Sequence, residues 1–296
     1  MKKVIEKAAV LIEALPYIQS FTGKIVVVKL GGSAMTAPPC VEGVLRDVVF
    51  MEAVKMKPLV VHGGGNAISR KMKEAGISPQ FIEGLRITDR EIMKIVWEVL
   101  SGINAELTEQ IRSLGGRAEG FCSHENRVIT ARKLQPVVSV PGGEPRSVDL
   151  GFVGEVDAVD TKSLLKVLGR NRVPVIAPVG ADGAGDIYNI NGDLAAAALA
   201  AALKAEKLVF LTDVEGIMTR EDESGRHQVL SSLKKGEIVR LLEEGTITGG
   251  MIPKATAGLH ALEGGVKKVH IIDGRIRHSL LLEIFTDKGI GTEIVN

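Results

Sequence analysis

The sequence predicts an α/β protein: a three-layer αβα sandwich around a mainly parallel central sheet, with an extra helix at the N terminus. Short apolar runs at residues 25–30, 59–62, 173–179, 207–212 and 268–273 alternate with longer helix-like segments, which is the pattern of strands buried on both faces by crossover helices. Two of these runs break straight into glycines, at Lys29-Leu30-Gly31-Gly32-Ser33 and at His62-Gly63-Gly64-Gly65-Asn66, as a strand does when it turns tightly into a helix. A chain of 296 residues that is 45% apolar also has enough apolar surface for one large α/β domain or two lobes on a continuous sheet.

Taken from the N terminus, Val4, Ala8, Leu11, Ile12, Leu15 and Ile18 recur at helical spacing with Lys and Glu opposite, so residues 1–20 are expected to form an amphipathic helix that covers its own core or another subunit. Glu6 and Glu13 interrupt its apolar run, which argues against a targeting segment, and no other stretch is long enough to span a bilayer. Thr88-Asp89-Arg90-Glu91 reads as a capping box, so a long helix is expected from Thr88 to about Gly115-Gly116. Residues 117–155 are rich in Gly, Pro and short Val runs and predict hairpins that form a lid or flap. A change near Pro174 suggests two lobes, 21–180 and 181–296, after the helix at 1–20.

Charge and cysteine content exclude several function classes. Thirty-seven basic against 36 acidic residues leave a net charge of +1, with 3% aromatics and no basic block, which excludes an extended nucleic-acid surface and points to a small partner. Cys40 and Cys122 form no C-x-x-C, and the six histidines show no H-x-x-x-H. Neither disulfides nor a structural metal site are expected, and the compartment reads as a reducing cytoplasm.

The candidate chemistry lies where apolar runs meet glycine. Neither turn matches G-x-x-x-x-G-K-[ST], and no G-x-G-x-x-G follows either strand. Each can still present unpaired backbone N–H groups and a helix dipole to a phosphate or carboxylate. Lys29 stands at the mouth of the first turn, where a buried ammonium needs an anion; an ordinary surface ion pair is the alternative. In Gly249-Gly250-Met251-Ile252-Pro253-Lys254, Pro253 suits the first turn of a helix and sets Lys254 beside its N terminus, although Gly-Gly before Pro is also common loop sequence. Asn189-Ile190-Asn191-Gly192-Asp193 opens an alanine-rich helix. Capping accounts for one of its three polar side chains, and an aspartate beyond that need could orient lysines. Leu211-Thr212-Asp213-Val214-Glu215-Gly216-Ile217-Met218 ends a strand where open α/β sheets bind nucleotides, or Asp213 simply closes a turn. Arg86, ahead of the long helix, offers a guanidinium fork to a carboxylate, either a ligand's or a neighbouring side chain's.

In this order, and with Gly84-Leu85-Arg86-Ile87-Thr88, these motifs resemble the amino acid kinase family over residues 20–296, in particular the branch whose acceptor is N-acetyl-L-glutamate. The Gly-Leu-Arg-Ile-Thr segment separates that branch from the carbamate, uridylate and aspartate kinases. The resemblance implies ATP-dependent phosphorylation of the γ-carboxylate of N-acetyl-L-glutamate in arginine biosynthesis, with Mg2+ carried on ATP and no resident metal. It implies that Lys29 and Lys254 stabilise the transferring phosphoryl group while Asp193 orients both, and that Gly31 and Gly32 line the phosphates. Gly64, Gly65, Arg86 and Asn189 would hold acetylglutamate, and Asp213, Gly216 and Met218 would lie around the nucleotide. Gly192 departs from the family pattern, where alanine is expected, without removing a functional group. A γ-carboxylate, with an unperturbed pKa of ~4.3, is already ionised at neutral pH, so the attack needs no general base.

The N-terminal extension resembles that of arginine-inhibited members, which implies a hexamer built as a trimer of dimers. The effector would then sit among Tyr17, His270, Glu283 and Gly289, with Glu283 suited to a guanidinium. The same resemblance leaves a nitrogen-signalling protein open as a partner. Two other readings stand beside this one: a kinase for an aminoadipate-type acceptor, which the Gly-Leu-Arg segment leans away from, and a non-catalytic nucleotide and amino-acid sensor, which the lysines and Asp193 disfavour.

Overall fold

The computed structural model describes residues 2–31, 38–122, 126–138, 146–219, 227–286 and 289–296. The chain opens with α1 (Lys2–Phe21), β1 (Ile25–Leu30), α2 (Pro38–Ala53), β2 (Lys57–His62) and α3 (Gly65–Glu74). A short ribbon, β3 (Phe81–Ile82) and β4 (Leu85–Arg86), leads into α4 (Arg90–Ser113). Next come β5 (Ala118–Phe121), β6 (Ile129–Lys133), a second ribbon of β7 (Val137–Val138) and β8 (Arg146–Ser147), then β9 (Val153–Val159), α5 (Thr161–Gly169) and β10 (Val173–Ile176). β11 (Val179–Ala181), β12 (Ile187–Ile190), α6 (Gly192–Ala202), β13 (Lys207–Thr212), β14 (Ser232–Lys234), α7 (Lys235–Glu243) and α8 (Met251–Glu263) follow. β15 (Lys268–Asp273), α9 (Ser279–Ile284) and β16 (Thr292–Val295) complete it.

Eight strands form the central sheet in the order β14-β16-β15-β13-β1-β2-β10-β5. Every pairing is parallel except β15 with β16. Side chains alternate across a strand, and in β1 this sends Val26, Val28 and Leu30 to one core and Val27 to the other. The first core packs on Val41, Leu45, Val48 and Met51 of α2 and on Leu107 and Ile111 of α4, and the second on α5, α6, α7 and α8. The result is the expected three layers.

The parallel register aligns the strand ends. Leu30 lies opposite both His62 and Leu211, and Thr212 opposite Asp273, so the segments after β1, β2, β13 and β15 emerge along one edge, where open α/β sheets build their sites.

Three expectations change. The apolar run at 173–179 is two strands, because Pro178, which lacks an N–H, stands between β10 and β11. The 117–155 region is not a flap of hairpins: β5 joins the main sheet, β6 and β9 close a four-stranded barrel with β11 and β12, and only β7 and β8 form a separate ribbon. The long helix is capped one residue later than expected, by Asp89, whose Oδ1 accepts from Ile92 N at 2.8 Å. Thr88 instead turns its hydroxyl to the Arg86 carbonyl (2.8 Å), and its own N–H and carbonyl bond Leu150 and Phe152. In α1, Val10, Ile12 and Leu15 are exposed, so these side chains lie outside the chain's own core. Its C-terminal end is anchored by the edge-on contact of Tyr17 with Phe285 and by Phe21 beneath Lys207. Among the described residues no helix is long and apolar enough to cross a membrane.

Candidate active site

The site starts from close backbone packing at the strand ends. Gly31 N donates to Leu211 O at 3.0 Å, and a Cβ at Gly31 would collide with that carbonyl oxygen, so only glycine fits there. Gly63 N donates to Leu30 O at 3.0 Å, which ties the second turn to the first. Gly65 opens α3, with Gly64 as its N-cap, and the first N–H groups of such a helix have no intrahelical acceptor.

Two further helix starts bring charge to this edge. Asn191 caps α6, its Oδ1 accepting from Asp193 N (2.9 Å) and Leu194 N (3.2 Å), which sets Asp193 in the first turn. The alanines that follow, Ala195, Ala196, Ala197 and Ala200, are buried and let α6 pack tightly against α8. Pro253 lies in the first turn of α8, and Lys254 follows it. The consequence is a bridged pair: Asp193 Oδ1 lies 2.6 Å from Lys29 Nζ, and Asp193 Oδ2 lies 3.1 Å from Lys254 Nζ. Burial alone would raise the Asp193 carboxyl, but the charges of Lys29 and then Lys254, with their hydrogen bonds, outweigh it and hold the group below the usual carboxylate range. Both lysines therefore converge on one point. A Cβ at Gly192 would meet Lys29 Cε at 3.4 Å, an ordinary contact, so the space there would also accept the alanine that the resemblance leads one to expect.

Beside this bridge lies a cavity of 230 Å³, lined by Lys29, Gly63 to Gly65, Arg86, Asn189 and Asp193 among others. Arg86 is buried, and its neighbours are not carboxylates. Its guanidinium donates to Gly65 O (2.9 Å), Ser69 Oγ (2.8 Å) and Met72 Sδ (3.1 Å) and lies 4.7 Å from the centre of the Phe81 ring. Burial pulls its pKa down from the ordinary arginine value. The structural alternative of a salt bridge to a nearby acidic residue is thus not realised among the described residues, and the cation remains beside the cavity. A larger groove of 620 Å³ between α2, α3 and α4 shares Gly64 and Asn66 with it but contains neither lysine.

Not every predicted residue joins this cavity. Asp213 is exposed at the end of β13 and accepts from Thr212 Oγ1 at 3.1 Å. Gly216 packs on Thr292, and Met218 pairs with Val229, so these three form a separate stretch along the same sheet edge. Gly32 lies outside the described residues. Tyr17, His270, Glu283 and Gly289 line a second cavity of 430 Å³ at the foot of α1. There Glu283 accepts from His270 Nδ1 (2.6 Å) and Ile290 N (2.7 Å). Despite burial, these hydrogen bonds and the charges of His270 and Lys207 keep Glu283 below the ordinary carboxylate value, while burial lowers His270. Gly289 takes φ +58°, and a Cβ there would press on Glu283 Oε1 at 3.0 Å.

Sequence reasoning missed Phe81 in the wall of the first cavity, Ser69 beside Arg86, Asn104 beside the buried His62, and Lys207 in the second cavity. Phe81 stands in a two-residue strand with no periodicity, and Lys207 begins a strand, where a lysine normally reads as solvated. No group of three or more His, Cys, Asp or Glu able to hold a metal occurs among the described residues.

Known proteins resemble this chain in sequence and in fold. The model of the Amino acid kinase family matches residues 24–273. The chain is 47% identical over 296 residues to the acetylglutamate kinase of Heliobacterium modesticaldum, covering all of both chains. It is 48% identical over 292 residues to that of Moorella thermoacetica, covering 98% of each. Among solved structures it resembles N-acetylglutamate synthase from Neisseria gonorrhoeae complexed with coenzyme A and N-acetyl-glutamate, at 25% identity and a TM-score of 0.83, over 98% of this chain and 63% of that one. The same synthase complexed with coenzyme A and L-arginine matches with a TM-score of 0.78 at 25% identity, over 97% of this chain and 65% of that one.

Proposed function

We propose a function from one premise: the chain belongs to the amino acid kinase family. Within it, the chain transfers the γ-phosphoryl group of ATP to the γ-carboxylate of N-acetyl-L-glutamate, giving N-acetyl-L-glutamyl 5-phosphate, in keeping with the name of its full-length relatives. The observation that carries this reading is the Asp193 carboxylate, which holds Lys29 and Lys254 at 2.6 and 3.1 Å beside the 230 Å³ cavity.

The reaction asks little covalent chemistry of the protein and much positioning. The acceptor carboxylate is ionised, so no side chain has to remove a proton. Lys29 and Lys254 meet the negative charge of the migrating group and its leaving oxygen, and Asp193 keeps both ammonium groups in place before ATP arrives. The N–H groups at Gly64 and Gly65 supply fixed dipoles at the same edge, while Gly31, whose N–H is spent on Leu211 O, lets the chain pass close to the phosphates. Arg86 and Asn189, in the cavity wall, hold the acceptor. Asp213, Gly216 and Met218 lie along the stretch where the nucleoside part of ATP is accommodated. Asp193 is already held by two lysines, and the described residues offer no carboxylate cluster, a donor set suited to Mg2+ that rides on the nucleotide phosphates. When bound there it neutralises charge on the β- and γ-oxygens.

The reading extends to feedback inhibition by L-arginine at the 430 Å³ cavity. Glu283 presents an anionic carboxylate there, and the buried Nε2 of His270 has no hydrogen-bond partner among the described residues. The exposed Val10, Ile12 and Leu15 of α1 support assembly through this helix into a hexamer of three dimers. The pathway is arginine biosynthesis and the compartment the cytoplasm. The test is ATP-dependent acyl-phosphate formation trapped with hydroxylamine, comparing acetylglutamate, glutamate, aspartate and aminoadipate with and without arginine. Hydroxamate from acetylglutamate alone is expected; none from it, or more from aminoadipate, overturns the reading.

A further inference from the structure

His62 ends β2 and is fully buried, yet the mechanism above gives it no part. Its two ring nitrogens are both occupied. Nδ1 lies 2.8 Å from the Gly63 carbonyl oxygen, and Nε2 lies 3.2 Å from Asn104 Nδ2 on α4. Asn104 Nδ2 also lies 2.9 Å from the Val175 carbonyl oxygen. A carbonyl only accepts, so the atom facing Val175 must be the amide nitrogen, and that nitrogen donates to both neighbours. Nε2 of His62 is then the acceptor, and the ring hydrogen sits on Nδ1, where it donates to Gly63.

That hydrogen fixes a peptide plane. Gly63 has its own N–H tied to Leu30 O and its carbonyl tied to His62, so neither flanking peptide is free to rotate. In a trans peptide the carbonyl and the next N–H point in opposite directions. With the Gly63 carbonyl turned into the protein towards His62, the Gly64 N–H faces the other way, towards the cavity that Gly63, Gly64 and Gly65 line.

We propose that His62 is a positioning residue: its Nδ1–H holds the Gly63 carbonyl so that the Gly64 N–H is aimed at the bound anion, and Asn104 sets which ring nitrogen carries the hydrogen. Burial first, and then the nearby charge of Lys29, push the imidazole pKa down to about 4 despite the hydrogen bond to Gly63, so the ring stays neutral and adds no second cation beside Lys29. The packing is built for this relay. Gly120, on β5 opposite Val175, has no Cβ, and one placed there would collide with Asn104 Oδ1.

The kinetic arm of the test rests on the kinase reading, and the spectroscopic arm does not. His62→Asn places an amide N–H where Nδ1 stands, whereas His62→Gln reaches the position of Nε2 and leaves the Gly63 carbonyl unmatched. The expected kcat of His62→Asn lies within about fivefold of the parent, and that of His62→Gln falls by about 10²-fold with smaller changes in KM, the effect of losing one aimed donor. A residue that merely filled space would favour the larger Gln, and equal or higher kcat for His62→Gln overturns the proposal. Nitrogen-15 NMR of the histidine rings in the unaltered protein at neutral pH should show His62 neutral with hydrogen on Nδ1, and Asn104→Leu should weaken that preference. A hydrogen on Nε2, or an imidazolium, also overturns it. If the unaltered protein forms no acyl phosphate, the kinase reading falls, and the ring spectrum still decides the role of His62.

Discussion

Replacing Asp193 with Asn keeps the shape of the side chain and removes the charge between two ammonium groups. At an effective dielectric constant of about 20, Coulomb's law assigns roughly 6 kcal/mol to a pair at the Lys29 distance and about 5 kcal/mol to one at the Lys254 distance, before desolvation is subtracted. Lys29 and Asp193 are buried, so much of that attraction offsets the cost of taking the charges out of water, and breaking such a pair typically leaves a net loss of about 3–5 kcal/mol. Asp193→Asn should therefore unfold in urea with a stability lower by about 3 kcal/mol. Its kcat should fall about 10²–10³-fold, because the lysines are no longer held where charge develops. KM for ATP should change much less, since both cations remain to attract phosphate. Saturating MgATP should restore part of the lost stability, because its phosphates replace the missing anion. A variant with an unchanged urea midpoint and a kcat within about threefold of the parent would refute the bridge as the organiser of the site.

Further outcomes follow from the same structure. Lys29→Ala and Lys254→Ala should each lower kcat far more than they raise KM in steady-state assays; near-parental kcat would remove them from the reaction. Arg86→Lys loses the planar guanidinium, whose Nη2 is held by Gly65 O and Ser69 Oγ, and should raise KM for acetylglutamate by about tenfold, while an unchanged KM excludes Arg86 from the acceptor site. Unfolded His62 takes up a proton near pH 6.5, whereas the folded ring holds out to about 4, so stability should fall as pH drops through that window by about 1.4 kcal/mol per unit, about 3 kcal/mol in all. His270, also lowered by burial, adds in the same direction, so the measurement is the difference between the pH–stability curves of the parent and His62→Asn; equal slopes would contradict the shift. Deleting residues 1–20 should give smaller assemblies by light scattering and weaker arginine inhibition, and unchanged mass and sensitivity would detach α1 from both roles.

The fold was legible where burial was complete. β1, β2, β13 and β15 are covered on both faces, so their sequences are near-continuous apolar runs. The barrel was not, because β11 and β12 are three and four residues long, too short for period-2 alternation to register, and Pro178 hides inside an apolar run. The cap of α4 slipped by one residue because Thr88 and Asp89 are both good caps, and only the tertiary partner of Thr88, the segment from Leu150 to Phe152, decides between them. In the site, each charged residue stood beside a glycine or a helix start and could be found from its own motif. Their convergence could not: Lys29 and Lys254 meet only because α6 and α8 pack closely enough for Asp193 to reach both. Asn104 was invisible for the opposite reason, since a polar residue inside a long helix carries no sign of what lies across the core from it.

The rungs Gly31 N to Leu211 O and Gly63 N to Leu30 O rivet three neighbouring strand tips into one rigid plate. A clamshell hinge between the glycine turns would have to break these backbone hydrogen bonds. Movement that admits substrates then costs less in parts hung from the rim, such as the β3–β4 ribbon, which stands apart from the main sheet. Slow turnover at low temperature would then be sought in those attachments.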